Sequence, residues 1–356
     1  MGRSKEKRRV QQQTLFVWWQ KYGLDPRIVS EYDLDIQSIE PVGKRWRLET
    51  DRGAKCLTRY TGDEAEILFM HNILEYLAKR GFKRIPRLIR TRYGQPYVVG
   101  PGEYYYLSDW FEGREVDFSH REQLALAAET LARLHQAGQG FESLEPYSRR
   151  QSSDWLSLWK HCTQELVEFK EVVEQKTVRT RFDNAYLEGA DHFIAQATKA
   201  IERLQDSAYQ QLLTETGQAA GICHPRYEPH HLLLNHRREV FVLGFEHCTT
   251  GLPVFDLGRF IQRVMAREGW EVSQGEEILS AYQKVCPLNR PEWEALLAFL
   301  GFPSQFWQYA HAYYCQEGWY PEKKLLAGLR RVLKEYQARG LFLNWVDDYT
   351  RRLIQK

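Results

Sequence analysis

Long apolar runs are missing from this chain of 356 residues. A bilayer-spanning helix needs about 18–20 consecutive apolar residues, whereas Leu15-Phe16-Val17-Trp18-Trp19 is among the longest stretches. A soluble protein without membrane insertion is expected. A secretory leader is not read either, because Arg3, Lys5, Lys7, Arg8 and Arg9 lead into Gln11-Gln12-Gln13 where an apolar segment would stand. Met1-Gly2 opens like a myristoylation signal, but Glu6 occupies the position of the required Ser or Thr. The basic start therefore reads as a solvated tail. An excess of one charge is missing too: 49 Lys and Arg against 47 Asp and Glu leave +2. That gives no field of the kind nucleic acid demands, and no nucleic-acid partner is expected. The six cysteines, Cys56, Cys162, Cys223, Cys248, Cys286 and Cys315, form no Cys-x-x-Cys pair. Their dispersion fits reduced thiols and argues against structural zinc, although a bond between Cys223 and Cys248 stays open. Repeats and low-complexity segments are absent.

Core material is plentiful, with 43% hydrophobic and 13% aromatic residues, in a length that suits two domains or one two-lobed unit. Ile36 to Tyr60 reads as short strands turned at Asp51-Arg52-Gly53. Ile67, Met70, Ile73, Leu74 and Leu77 then mark one face of a helix from Asp63 to Arg80, stopped by Gly81. Tyr97-Val98-Val99 and Tyr104-Tyr105-Tyr106-Leu107 are further strands, separated by Gly100-Pro101-Gly102. Beyond Trp110-Phe111-Glu112-Gly113 nearly everything is helical. The spacing predicts helices over Trp155–Val173 and Tyr186–Leu213, joined by a charged connector from Glu174 to Arg181. Further helices are predicted over Asp256–Arg267, Gly275–Val285, Pro291–Leu300, Ser304–Gln316, Lys323–Ala338 and Asn344–Ile354. The expected class is α+β, a small antiparallel sheet followed by a large helical lobe.

The exception to the helices is Ile222-Cys223-His224-Pro225-Arg226-Tyr227-Glu228-Pro229-His230-His231-Leu232-Leu233-Leu234. A turn at Asn235-His236-Arg237-Arg238 and Val240-Phe241-Val242-Leu243-Gly244-Phe245-Glu246 follow it. This loop between two apolar strands resembles the catalytic loop and metal-binding strand of the protein-kinase-like fold, in the branch of aminoglycoside phosphotransferases and choline kinases. Tyr106-Leu107-Ser108-Asp109-Trp110-Phe111-Glu112-Gly113 resembles the hinge, Leu131-Ala132-Arg133-Leu134-His135 the helix after it, and Pro253-Val254-Phe255-Asp256-Leu257 the segment after the metal strand. Within that fold the chain is most similar to the CotS-type spore coat proteins of endospore-forming bacteria. The matches are Trp46-Arg47-Leu48-Glu49-Thr50-Asp51-Arg52-Gly53, Leu107-Ser108-Asp109-Trp110-Phe111-Glu112-Gly113-Arg114-Glu115 and Phe245-Glu246. The resemblance implies residues 1–107 as basic tail and β-rich lobe, 108–113 as hinge, and 114–356 as helical lobe with the loop segment 222–246.

Phosphoryl transfer on this fold needs a carboxylate base, an Asn and an Asp for Mg²⁺, and a Lys on the third strand for the nucleotide phosphates. The resemblance places Arg226 at the base, His231 at the Asn, Gly244 at the metal-binding Asp and Thr58 at the Lys. Arg226 cannot accept a proton, and Gly244 has no side chain. A pseudokinase is therefore expected, with no catalytic residues, no metal and no cofactor. ATP and Mg²⁺ enter only under an alternative, an atypical phosphotransferase or nucleotide-binding switch. His224, Glu246, Ser108, Asp109 and Trp110 could form a residual cleft, and Asp256 is expected to tie the loop backbone. Glu246 is expected to pair with Arg226, taken as partly buried.

Two rival readings of these residues are weaker. His224, Glu228, His230, His231, Glu246 and His247 are dense in metal-ligating groups, but His230 and His231 would point to opposite faces if extended. Lys55 could replace the missing Lys, yet it stands three residues from Thr58, an odd offset that turns it to the other face of a strand. Glu40-Pro41-Val42-Gly43-Lys44-Arg45 holds a single glycine where a phosphate loop would hold several, and reads as a turn. Trp18-Trp19, Trp155 with Trp159, and Phe306 with Trp307 read as packing aromatics. The family resemblance implies other spore coat proteins as partners, and a route from mother-cell cytoplasm to spore coat.

Overall fold

Glycine turns and side-chain caps set the order of the first elements. The computed structural model describes residues 17, 21–142, 154–207, 209, 212, 221–315 and 321–354, so the basic start, Trp18 and Trp19 lie outside the described residues. A short helix α1 (Pro26–Ser30) precedes β1 (Ile36–Val42), which turns at Gly43 (φ +61°) into β2 (Arg45–Thr50). A second turn at Gly53 (φ +83°) leads to β3 (Lys55–Tyr60), and Thr50 Oγ1 donates to the Gly53 carbonyl at 2.7 Å. Helix α2 (Glu64–Lys79) opens on Asp63, whose carboxylate accepts from the Glu66 N–H at 2.9 Å, and Gly81 follows its end in the left-handed region.

Strands β4 (Leu88–Ile89), β5 (Val98–Gly100) and β6 (Glu103–Asp109) complete an antiparallel sheet of order β1-β2-β3-β6-β4, with β5 also pairing β6. Leu24, Ile28, Leu48, Leu57 and Leu107 share its core. A smaller sheet joins β7 (Arg114–Glu115), β9 (Leu232–Leu234) and β10 (Val240–Val242). The described residues divide into two compact units. One holds the chain up to Val116, Phe141, Glu142 and Glu228–Cys248; the other holds Asp117–Gly140, the described residues from Asp154 to Tyr227, and Thr249 onward.

The second unit contains α3 (Arg121–Gly138), α4 (Trp155–Glu174), α5 (Arg181–Asp206), and the strand pair β8 (Gly221–Cys223) and β11 (Thr249–Gly251). Then come α6 (Pro253–Glu268), α7 (Val272–Gln283), α8 (Arg290–Gly301), α9 (Ser304–Tyr314) and α10 (Glu322–Ile354). No helix among the described residues is long and apolar enough to cross a membrane. All six cysteines are free, which closes the question of a Cys223–Cys248 bond. Trp159 stacks on Phe302, and Phe306 is fully buried.

Several helix boundaries differ from the sequence reading: α5 stops at Asp206, α6 starts at Pro253 rather than Asp256, and α7 runs Val272–Gln283 rather than Gly275–Val285, while two further differences have a visible cause. α5 begins at Arg181 rather than Tyr186, because Thr180 and Asp183 form a reciprocal capping box, and Lys176 of the charged connector reaches the Asp183 carboxylate at 2.9 Å. The two helices predicted on either side of residues 339–343 are one 33-residue helix, α10. Its buried stripe runs Leu325, Leu329, Val332, Arg339, Phe342, Val346 and Thr350, and a charged residue continues it where the apolar pattern lapses.

Candidate functional site

Within the first unit, the strand ends, the turn before β9 and the chain after β10 enclose a cavity of about 530 Å³. Each wall follows from the local fold. The β1–β2 turn contributes Gly43, Lys44 and Arg45, and α2 contributes Met70. Alternation along β3 sends Cys56 and Thr58 into the cavity. Lys55, with the opposite parity, sits 2.6 Å from Asp109 Oδ1. Ser108, Asp109, Trp110 and Phe111 supply the wall at the end of β6. Trp110 also carries the Arg47 guanidinium 5.3 Å from its ring centroid, and Arg47 reaches Glu112 at 3.1 Å.

The far wall comes from a 3-10 turn (Pro229–His231) and the residues after β10. Pro229 starts that turn, so His230 and His231 are not extended, and their rings lie 4.1 Å apart instead of on opposite faces. His231 is buried, its N–H donates to the Glu228 carbonyl at 2.9 Å, and its own carbonyl accepts from Leu243 N–H at 2.7 Å. These bonds bring the imidazole against Gly244. Gly244 is left-handed (φ +80°, ψ 29°), and a β-carbon there would lie 2.7 Å from the His231 ring. Glu246 has Arg45 as a cationic neighbour at 3.6 Å. Burial raises the Cys56 thiol pKa, leaving it a poor nucleophile at neutral pH. Burial, with the Glu246 carboxylate adding to it, also raises the Tyr106 phenol.

The other half of the loop belongs to the second unit. The His224 backbone N–H donates to the Asp256 carboxylate, which is buried in the first turn of α6 and lies 3.5 Å from both His135 Nε2 and Arg259. His135 Nδ1 is 2.7 Å from the Tyr282 hydroxyl. Tyr227 donates to the Ala127 carbonyl at 2.7 Å, and Arg263 donates to the Tyr227 carbonyl at 3.1 Å. Arg226 is exposed, not partly buried. Asp256 thus meets the loop backbone while buried among helices.

A magnesium–nucleotide complex needs hard oxygen donors converging on the ion. At the two positions assigned to those donors stand an imidazole and a bare backbone, with the ring filling the space that a side chain at Gly244 would take. Glu246 lies beside a guanidinium. The donor set does not fit the complex. Among the described residues, the imidazoles and carboxylates between His224 and His247 bring no three ligand atoms together either. Lys44, Arg45 and Met70 also line the cavity without being site candidates in the sequence, where their signal is weak, a turn beside a single glycine and one position of a helix stripe; His230, a candidate metal ligand in the sequence, lines it too.

The family described as "Spore coat putative kinase YutH" matches residues 25–346. Spore coat protein S of Bacillus subtilis is 25% identical over 321 residues, covering 89% of this chain and 91% of that protein. A crystal structure of an aminoglycoside phosphotransferase from Alicyclobacillus acidocaldarius aligns with a TM-score of 0.81 at 22% identity, covering 92% of this chain and 97% of that one. A spectinomycin phosphotransferase, crystallised with ADP and spectinomycin, aligns with a TM-score of 0.52 at 13% identity, covering 96% and 98%. These structural likenesses show a kinase-like α+β fold.

Proposed function

This chain belongs to the spore-coat YutH family, and from that premise we propose that it is a catalytically silent kinase-like protein serving as a structural or scaffold component of the bacterial endospore coat. One observation carries the reading: His231 and Gly244 have exchanged side-chain volume, so an imidazole occupies the space where a metal-binding carboxylate would project. Thr58 inside the cavity, where the family resemblance puts a lysine, and Arg226 in the loop, where it puts a carboxylate, support the same conclusion. Loss of such groups typically costs factors of ~10²–10⁴ each in catalytic settings. The partners on this reading are other coat proteins, and the route runs from the mother-cell cytoplasm into the coat.

Thermal shift of the full chain with ATP, with and without Mg²⁺, tests the silent site. No Mg²⁺-dependent change in melting temperature is expected; a reproducible one, with transfer of labelled phosphate, overturns the proposal. A fluorescent fusion in sporulating cells tests the place of action, where a rim around the forespore is expected and diffuse signal in vegetative cells counts against it. The cavity of about 530 Å³ is the observation that favours the alternative, a nucleotide-binding switch or atypical phosphotransferase. The same titration separates the two.

A further inference from the structure

Two helices of the second unit carry four metal-ligating side chains on facing positions. His161 and Glu165 stand at i and i+4 on α4, and His311 and Cys315 stand at the same spacing on α9 and its C-cap. That spacing puts each pair on one side of its helix, and α4 packs on α9. Glu165 Oε1 lies 3.1 Å from His311 Nδ1 and 3.7 Å from His161 Nε2. One ligand atom each from Glu165, His311 and Cys315 falls within 4.8 Å of the others. Among the described residues, no other trio of His, Cys, Asp and Glu converges in this way.

The surroundings are arranged as those of a ligating carboxylate would be. Trp307 Nε1 donates to Glu165 Oε2 at 2.7 Å, which fixes one oxygen and leaves the other toward the imidazoles. Exposure is graded: the Glu165 and His311 side chains are 12% and 21% accessible, while Cys315 is exposed, so the inner donors are held and the outer one meets solvent. A carboxylate–imidazole pair serving stability alone has no need of a thiol beside it.

We propose that Glu165, His311 and Cys315 bind zinc, with His161 within reach to close the tetrahedron. The donor chemistry selects the ion. A thiolate with imidazole suits a borderline-soft divalent metal and disfavours Mg²⁺ or Ca²⁺, which take oxygen. Zinc bonds of about 2.0–2.3 Å set tetrahedral ligand atoms about 3.5 Å apart, so side-chain rotation suffices to close the group. On binding, the Cys315 S–H bond breaks, the sulfur–zinc bond forms, and one proton leaves to solvent. The dispersed cysteines argue against zinc along the sequence; the fold supplies a single cysteine, with His311 one turn before it on the same helix and Glu165 on a helix 146 residues before His311.

The test uses the full chain purified without a polyhistidine tag, stripped with chelator and titrated with zinc against a chromophoric chelator, then with cobalt(II). About one zinc per chain is expected, with a cobalt complex whose thiolate charge-transfer band disappears in Cys315→Ser. Glu165→Gln keeps an oxygen for the Trp307 N–H and is expected to weaken zinc affinity at least ~10-fold. Circular dichroism confirms that each variant is folded. Absence of zinc uptake, or uptake unchanged in both variants, overturns the assignment.

Discussion

At Gly244 the backbone is left-handed and the next atom outward would strike an imidazole. Gly244→Asp therefore restores a carboxylate to the sequence without restoring a site. Asp tolerates the left-handed region better than most residues, so the cost comes chiefly from the His231 ring, 2.7 Å from the new β-carbon. A destabilisation of about 2 kcal/mol is expected. Adding His231→Asn opens the space, and the double variant should recover at least ~1 kcal/mol relative to the sum of the single effects. Denaturant melts of all four chains measure this; additive effects would show that the two side chains do not share the volume. His71 offers a second test. Its Nε2 lies 3.0 Å from Arg90, and since a guanidinium only donates, the ring is neutral with its proton on Nδ1. Burial first, and the Arg90 charge second, lower its pKa from 6.5. The unfolded chain therefore binds more protons once pH falls below about 6.5, so stability present above that value is lost on acidification toward the lowered pKa. Urea midpoints from pH 7.5 to 5.0 should fall less steeply in His71→Gln; parallel slopes would remove His71 as the cause.

Helix α10 shows how one residue carries an element past a gap in its pattern. Arg339 donates to the carbonyls of Leu300, Gly301 and Phe302 at 2.7, 3.1 and 2.9 Å, satisfying the open C-terminal end of α8, and to Gln196 Oε1 at 2.7 Å. Burial brings its pKa down to about 10, so it remains a cation at neutral pH. Arg339→Met keeps the apolar stem but strands these acceptors, and a loss of about 3 kcal/mol is expected in denaturant unfolding. A loss under about 1 kcal/mol would mean that water replaces the guanidinium. The same residue explains a limit of the sequence. A stripe judged by apolar residues lapses at Arg339 and Gly340 and suggests a break, whereas the tertiary partner of a charged side chain lies in another helix and leaves no periodic trace. Helix α2 was legible because Asp63, its apolar face and Gly81 all lie within the segment they define. Strands β7, β8 and β11 span only two or three residues each and exist through their pairing partners, which periodicity cannot reveal. Within the cavity, the facing of Thr58 followed from strand alternation, while Arg45 beside Glu246 required the meeting of segments about 200 residues apart in the chain.

For the whole molecule, the decisive contrast is between a coat protein that needs its fold and an enzyme that needs its cavity. Glu246 is the acidic group next to the position the resemblance assigns to the metal, its side chain is 20% exposed, and its ion-pair distance to Arg45 is long at 3.6 Å. An ion pair of that kind contributes at most about 1 kcal/mol, so Glu246→Ala should leave the chain folded while stripping a carboxylate that any residual metal chemistry would call upon. With a net charge of only +2, recruitment by a general electrostatic field is also weak, and on the proposed scaffold role assembly would rest on specific surfaces. The expected outcome is that the Glu246→Ala chain enters the spore coat in the same amount as the unaltered chain when expressed in its place, measured by immunoblot of purified coat extract. Spores should also show the same lysozyme resistance. A chain that melts normally, yet is missing from the coat or leaves the spores sensitive, would mean that the cavity acts chemically, and the scaffold reading would fall with it.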